Sequence, residues 1–297
     1  MRDGLVVVDK APGWTSHDVV AKMRGVYRQK RVGHAGTLDP DATGVLLLGL
    51  GRVTRLLRFL QEAGKEYRGR VVFGIATDTL DAAGSVLERM EMAFSRDDLD
   101  VACKSFVGDI EQVPPMVSAI KVGGRRLYDL ARVGQEIERA PRPVHIEAIV
   151  VERFEPGQYP EATIRVTCSS GTYIRSLAAD LGIALGGCAH LAELRRLRVG
   201  GFTLADAHTV EEVEADPDAA VREPTDAVRD LDCVEVDRER ARAVAHGATF
   251  AAPALIGDTD ASGPFAVIDD AGALLAVYER RGAGVKPSVV LVGQGTA

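Results

Sequence analysis

The chain has 297 residues, of which 46% are hydrophobic and 27% charged, and its formal net charge is −7. This composition excludes a disordered chain and predicts one large domain or two. The four cysteines lie far apart and form no CxxC pair. Their spacing argues against a zinc site or a disulfide framework and predicts a reducing compartment.

The apolar runs of the sequence are short. The first, GLVVV, is followed at once by Asp9 and Lys10, and the longest extends only from Val45 to Leu50. A signal peptide needs a longer apolar core, and a membrane-spanning helix needs roughly 20 apolar residues. We therefore expect a cytoplasmic protein without a membrane segment.

Charge is distributed unevenly along the chain. Residues 206–240 contain 13 Asp and Glu against 4 Arg, whereas residues 1–35 contain 7 Lys and Arg against 3 acids, and residues 119–145 contain 6 against 3. Either basic cluster alone is typical of solvated surface. Two such clusters on either side of the candidate site, which is the turn around Asp39, favour a polyanionic substrate.

The first elements in chain order are a strand and a helix. Residues 4–9 alternate as a short strand, and Thr15 with Ser16 caps a helix over residues 18–28. A turn bounded by Gly and Pro then contains Asp39, and the apolar run after it predicts a buried strand leading into a helix. Such a turn presents a carboxylate in a cleft.

The middle of the chain predicts further strands and helices. EYRGRVVFGIATDT alternates as a strand, and Ser95 with two following acids marks a helix start. A Pro-Pro pair, a Gly-Gly turn and a basic helix then predict a projecting basic element over about residues 117–145. HIEAIVVERFE and ATIRVTC predict strands, and a Ser-Gly-Thr turn leads into another helix.

The C-terminal part has a different composition. Around residues 206–226 acids dominate and Pro217 and Pro224 occur, which predicts a boundary between domains 1–224 and 225–297. The second domain contains one short helix and a hairpin signal at residues 269–272, so we expect it to be small and β-rich.

The residues around Asp39 alone allow two interpretations. Asp before Pro is common in turns, where its side chain accepts backbone N–H bonds. Alternatively, Asp39, Asp41 and Thr43 form the D-x-D-x-T pattern of Mg²⁺-dependent phosphatases with an aspartate nucleophile, and Asp269–Asp270 would supply later metal ligands. That pattern should directly follow a buried apolar strand, whereas RVGHAGTL is Gly-rich and polar, and a hairpin turn explains Asp269–Asp270.

Six segments carry a family resemblance and occur in order within residues 4–200. They are DKAPGWTS (9–16), RVGHAGTLDPDATGVL (31–46), KEYRG (65–69), TDTLDAAG (77–84), VSAIKVGGRRLYDLAR (117–132) and CSSGTYIRSLAADLG (168–182). Together they resemble the tRNA pseudouridine-55 synthases of the TruB type. The resemblance implies a mixed α/β (α+β) catalytic domain on a largely antiparallel sheet, followed by a small PUA-like domain.

The resemblance also implies a reaction. A uridine at position 55 in the tRNA T loop is flipped out, and its uracil is detached from the ribose at N1 and reattached through C5. No cofactor or metal is implied, and the sequence contains neither a phosphate-binding GxxxxGK[ST] loop nor a dinucleotide fingerprint. The implied partner is the T arm of tRNA, without a protein partner, and we expect a monomer.

The resemblance assigns roles to individual residues. Asp39 matches the catalytic nucleophile, Arg175 the arginine that pairs with it, and Tyr67 the tyrosine that stacks on the base and takes the C5 proton. The residues that match substrate contacts are His34, Tyr173, Leu194, Asp81, Lys10, Lys30, Arg31, Lys121, Arg125 and Arg126. A non-catalytic tRNA-binding or tRNA-folding factor on the same scaffold is the competing hypothesis.

Overall fold

The computed structural model describes residues 2–115, 121–122, 125–126, 139–257 and 261–291. The chain divides into two compact units. The first contains Met1–Pro40, Val45–Gln61 and Gly200–Ala297, and the second contains Asp41–Gly44 and Glu62–Val199. The predicted boundary near Pro224 lies inside the first unit, and the division into domains 1–224 and 225–297 stays a prediction.

The described residues form short and medium-length elements. The strands are β1 (Gly4–Lys10), β2 (Val32–Ala35), β3 (Thr43–Leu50), β4 (Lys65–Phe73), β5 (Ile75–Thr77), β6 (Val86–Arg89), β7 (Gly108–Gln112), β8 (Lys121–Val122), β9 (Arg125–Arg126), β10 (Arg142–Glu155), β11 (Glu161–Cys168), β12 (Ala189–Val199), β13 (Phe202–Thr203), β14 (Val221–Arg222), β15 (Asp232–Glu235), β16 (Phe250–Ala251), β17 (Phe265–Ile268), β18 (Leu274–Arg281) and β19 (Gly284–Val290). The α-helices are α1 (Ser16–Val26), α2 (Leu57–Glu62), α3 (Arg96–Lys104), α4 (Ile174–Ala184), α5 (Val210–Ala215), α6 (Arg238–Ala245) and α7 (Ala252–Ile256).

The first unit begins with the predicted strand and helix. Strands follow the order β14–β1–β3, and β2 lies antiparallel to β3. Helix α1 starts at a capping box in which Thr15 and Asp18 satisfy each other's backbone N–H groups, because these donors have no partner inside the helix. The predicted Thr15 cap is thereby confirmed.

The C-terminal residues of the first unit form a separate five-stranded sheet. Its strand order is β15–β17–β18–β19–β16, and its core includes the fully buried Tyr278. The predicted hairpin joins β17 to β18, where Asp269 Oδ1 accepts hydrogen bonds from the N–H groups of Ala271 (3.0 Å) and Ala273 (2.8 Å). The β-rich character of this part is confirmed, and Asp269 serves as a turn residue.

The second unit is built on a largely antiparallel sheet. Strands follow the order β12–β4–β11–β10–β7, and each neighbouring pair is antiparallel. Along β11 every second residue is buried, as the two-residue side-chain period of a strand with one covered face requires. The first two residues of β3 pair in parallel with β12. The predicted mixed α/β fold is therefore confirmed.

Two helices of the second unit follow their predicted starts. Helix α3 begins after Ser95, which forms a capping box with Asp98, and α4 begins after Tyr173. Most of the projecting element predicted over residues 117–145 lies outside the described residues. Of its first part only the backbones of β8 and β9 are described, and they pair with Lys121 opposite Arg126.

The helices found in the described ranges are short. None of them combines the length and the apolar character that crossing a membrane requires.

A close approach joins β3 to β12 within the second unit. Gly44 has a positive φ of 103°, and a Cβ atom at this position would lie 2.1 Å from the carbonyl oxygen of Arg196. Glycine is needed here for two reasons, because other residues rarely adopt this φ and because a side chain would push the strands apart.

We therefore expect Gly44→Ala to lower the free energy of unfolding by roughly 2 to 4 kcal/mol. Gly25→Ala is the matched control, since Gly25 lies at the exposed end of α1 with nothing within 4 Å of a Cβ atom. In that helix alanine is neutral or stabilises by up to about 1 kcal/mol. Urea unfolding of both variants measures the difference, and equal stabilities would contradict the close approach.

Candidate active site

Asp39 lies in the loop between β2 and β3, and its side chain is half-buried. The backbone before it is fixed by Ser16, whose hydroxyl accepts from the N–H of Leu38 (2.9 Å) and donates to the carbonyl of Leu38 (3.2 Å). Ser16 and Leu38 are both buried. Because both backbone groups of the preceding residue are held, the direction in which the chain reaches Asp39 is set.

Lys10 fixes the residue on the other side of Asp39. Its ammonium donates to the carbonyls of Ala11 (3.0 Å), Trp14 (2.6 Å) and Pro40 (2.8 Å), and the side chain is 0% exposed. This placement corrects the predicted phosphate contact. An ammonium has three N–H donors, and here all three are used inside the protein, so Lys10 shapes the Asp39 loop.

His34 and two of the predicted basic residues also belong to the first unit. His34 lies on β2, and its ring makes an edge-on contact with the ring of His17, with 5.2 Å between centroids. Lys30 and Arg31 precede β2 and are exposed. The structure therefore leaves Lys30 and Arg31 at the surface, as the predicted phosphate contacts require.

Tyr67 occupies the covered face of β4 in the second unit. It is buried, with Val166 of β11 opposite it on one side and Arg196 of β12 on the other. Arg196 is 1% exposed and Lys65, two residues before Tyr67, is 5% exposed. Burial, together with the positive charge of Arg196, lowers the pKa of Lys65 to about 8. Two cationic side chains thus flank Tyr67 inside the sheet.

Arg175 lies in the first turn of α4 and is also buried. One guanidinium nitrogen, Nη1, donates to the carbonyl of Thr79 and to Oδ2 of Asp81, both at 3.2 Å. Asp81 is itself held, because its Oδ1 accepts from the hydroxyl of Thr79 at 2.5 Å. The resemblance implies Asp39 as a carboxylate partner of Arg175, which stays a prediction, and within the second unit the structure pairs Arg175 with Asp81. A guanidinium carries five donors, enough for more than one carboxylate.

The residues predicted to line the base pocket lie on or beside the same face of the sheet. Leu194 of β12 stands opposite Gly69, which is two residues from Tyr67 and hence on its side of β4. A Cβ atom at Gly69 would lie 3.6 Å from Ile174, the first residue of α4. Tyr173 directly precedes that residue, so the structure brings Tyr67, Leu194 and the start of α4 together.

The opposite face of this sheet carries paired charges. Arg68 and Arg165 both contact Glu152, and Arg70 contacts Glu161 and Glu193. Burial raises the pKa of Glu152, but hydrogen bonds from the two arginines outweigh it, and the net shift is downward. These arginines are already neutralised by carboxylates, which makes this face a poor surface for phosphate.

The phosphatase hypothesis finds no support in the geometry. Thr43 opens β3 and accepts from Arg195 at 3.3 Å, and Asp269 closes a hairpin. Within the described ranges, no three His, Cys, Asp or Glu side chains are grouped as metal ligands.

Sequence reasoning missed three buried contacts. These are the Lys10 ammonium below the Asp39 loop, the Arg175–Asp81 pair, and Gln112, whose amide binds the backbone of Tyr173. The pairs are 30, 94 and 61 residues apart. Lys10 and Asp81 lie in segments of the family resemblance, but their contacts were not foreseen, and Gln112 lies outside all six segments.

Two family models match the chain. The N-terminal domain of the TruB family pseudouridylate synthases matches residues 24–174. The C-terminal domain of tRNA pseudouridylate synthase B matches residues 175–231. The two matches are adjacent and include Asp39, Tyr67, Asp81 and Arg175.

Curated relatives cover most of the chain. A tRNA pseudouridine synthase B from Thermobifida fusca is 43% identical, covering 99% of this chain and 100% of the relative. The protein of that name from Symbiobacterium thermophilum is 48% identical over 82% of each chain.

Solved structures share the fold of this chain. A chain from an H/ACA RNP bound to a substrate RNA containing 2′-deoxyuridine superposes with a TM-score of 0.75 and 26% identity, covering 98% of this chain and 86% of that chain. A chain from a Cbf5-Nop10-Gar1 complex gives a TM-score of 0.74 and 28% identity, covering 98% and 84%. The two family matches are adjacent, the relatives are similar over most or all of the chain, and the fold is shared. This chain therefore belongs to the TruB family of pseudouridylate synthases.

Proposed function

We propose that the protein converts the uridine at position 55 of the tRNA T loop to pseudouridine. The main support for the proposal is the fixed position of Asp39, because its neighbours Leu38 and Pro40 are held by hydrogen bonds with Ser16 and Lys10. A turn that only needed a capping aspartate would not require such anchoring on both sides. The names of the relatives, tRNA pseudouridine synthase B, supply the substrate class.

The reaction is an isomerisation without net oxidation or reduction. The bond between uracil N1 and ribose C1′ breaks, and a bond between C5 and C1′ forms. C5 loses a proton and N1 gains one, so atoms and charge balance without a cofactor. In our proposal the carboxylate of Asp39 either adds to the substrate as a nucleophile or stabilises the cationic sugar, and both roles need its ionised form.

Arg175 and Tyr67 complete the proposed chemistry. Arg175 supplies the positive charge that keeps Asp39 ionised, while Asp81 and Thr79 hold its guanidinium. Tyr67 stacks on the flipped uracil and accepts the C5 proton, and Tyr173 and Leu194 provide further pocket walls. A base removed from its stack needs such flat or apolar surfaces.

The tRNA is bound through shape and phosphate contacts. His34 fills the space beside the flipped nucleotide, and Lys30, Arg31, Lys121, Arg125 and Arg126 contact phosphates of the T arm. The side chains of Lys121, Arg125 and Arg126 lie outside the described residues. We propose that the enzyme acts as a cytoplasmic monomer without a protein partner.

Nucleotide-resolution mapping of pseudouridine tests the proposed function. An unmodified tRNA transcript incubated with the protein in EDTA should gain pseudouridine at the T-loop uridine and at no other uridine. A transcript with cytidine at that position is the matched control and should gain none. Tight binding without conversion would favour the tRNA-folding factor.

Asp39→Asn tests the assignment of the reactive group. The amide cannot act as the nucleophile or balance a cationic sugar, so turnover should vanish. The dissociation constant for tRNA should stay within a few-fold, because the carboxylate contributes mainly to chemistry. Single-turnover assays and filter binding measure both quantities. Normal turnover would remove Asp39 from the mechanism.

The salt dependence of tRNA binding tests the basic element. The double variant Lys121→Ala/Arg125→Ala should bind more weakly, and the slope of log K against log salt should flatten by about 1 to 2 because two phosphate contacts are lost. Arg153→Ala is the control, since Arg153 is 72% exposed and paired with Glu155. A slope equal to that of the wild type would exclude these two residues from the interface.

A further inference from the structure

Gln112 is a buried amide at the end of β7, and the role proposed for it here rests on the function proposed above. It is 1% exposed, so its donor and acceptor must both find partners inside the protein. Its Oε1 accepts from the N–H of Tyr173 at 2.9 Å, and its Nε2 donates to the carbonyl of Tyr173 at 3.3 Å. The side chain therefore binds both the backbone N–H and the backbone carbonyl of Tyr173, as the backbone of a neighbouring strand would.

The start of α4 needs this external support. Tyr173 is the N-cap of the helix, and its side chain makes no capping hydrogen bond. Helices α1, α3, α5 and α6 instead start after side chains that cap them, namely Thr15, Ser95, Thr209 and Asp237. A free helix N-terminus leaves backbone donors without partners and frays.

A second contact anchors the same end of α4. The hydroxyl of Ser176, in the first turn, donates to the carbonyl of Val113 at 2.9 Å. Residues 112 and 113 thus hold α4 through three hydrogen bonds, and two of them involve the Gln112 side-chain amide. The position of the first turn along the end of β7 is fixed by these contacts.

The anchored turn carries two of the site residues. Tyr173 is the residue that Gln112 binds. Arg175, two residues later, donates hydrogen bonds to Asp81 and to the carbonyl of Thr79, both at 3.2 Å. A small displacement of this turn would move the guanidinium out of hydrogen-bond range and shift the Tyr173 ring at the same time. Misplacement by about 1 Å can cost 100-fold in rate.

We propose that Gln112 is a positioning residue for pseudouridine formation, which acts by holding the first turn of α4 so that Tyr173 and Arg175 meet the substrate in the correct place. It does not touch the uridine itself. The predicted consequence of its loss is slower chemistry with nearly unchanged tRNA affinity.

Gln112→Met removes both hydrogen bonds at similar volume, and Gln112→Glu keeps the acceptor but loses the donor toward the Tyr173 carbonyl. Glu111→Gln, on the exposed side of the same strand, is the matched control. At saturating enzyme the single-turnover rate should fall about 10- to 100-fold for Gln112→Met, and the tRNA dissociation constant should stay within a few-fold. Gln112→Glu tests the same role if Gln112→Met does not fold.

A double-variant cycle separates positioning from general destabilisation. If Gln112 acts through Arg175, adding Arg175→Lys to the Gln112 variant should cost less than the product of the two single effects. Rates within twofold of wild type, or effects that multiply, would overturn the role of Gln112 alone. Failure of the wild type and of Glu111→Gln to convert the T-loop uridine would instead overturn the proposed function, and this inference with it.

Discussion

The buried ammonium of Lys10 is the interaction on which the candidate site depends. Burying an unpaired charge costs several kcal/mol, and here three backbone carbonyls satisfy it. One of these belongs to Pro40, the residue after Asp39. The ammonium thereby ties the end of β1 to the Asp39 loop. A flexible loop could not present a carboxylate in one place, whereas this one is held from both sides.

In the second unit, a sheet and a helix fix the positions of the other candidate site residues. Alternation along β4 and β11 gives one covered face, where Tyr67 lies between Val166 and Arg196, and one face on which arginines and glutamates neutralise each other. Helix α4 then brings Tyr173 and Arg175 beside the covered face. Because Tyr173 makes no side-chain capping bond at its N-terminus, the exact place of these residues is decided by Gln112 and by the carbonyl of Val113, which bind the first turn from outside.

The sequence predicted features that depend on neighbours along the chain. Thr15 and Ser95 cap helices because the partner in each capping box is three residues away, and the hairpin at Asp269 follows from local turn chemistry. Strand β12 was harder to foresee. Irregularities between Leu191 and Glu193 and between Arg196 and Arg198 interrupt its alternation, so its strand character is set by pairing with β4.

The site residues also divide into those that the sequence identifies and those that only the tertiary structure shows. Asp39, Tyr67 and Arg175 were identified through segments that resemble a family, since neither spacing nor composition marks them as catalytic. Lys10 was identified as well, but its role was wrong. A lysine in a basic cluster of the sequence suggests a phosphate contact, but the fold buries the Lys10 ammonium among backbone carbonyls. The pairs Arg175–Asp81 and Gln112–Tyr173 join residues far apart in the chain, and only the tertiary structure shows them.

The substitution Asp39→Glu tests whether the chemistry depends on a carboxylate held in one fixed position. This substitution keeps the charge but moves the carboxylate outward by one methylene, while Leu38 and Pro40 stay anchored. Single-turnover conversion of the T-loop uridine should fall by at least about 100-fold, with tRNA binding retained. Conversion within tenfold of the wild-type rate would mean that the position set by Lys10 and Ser16 is not what the reaction needs.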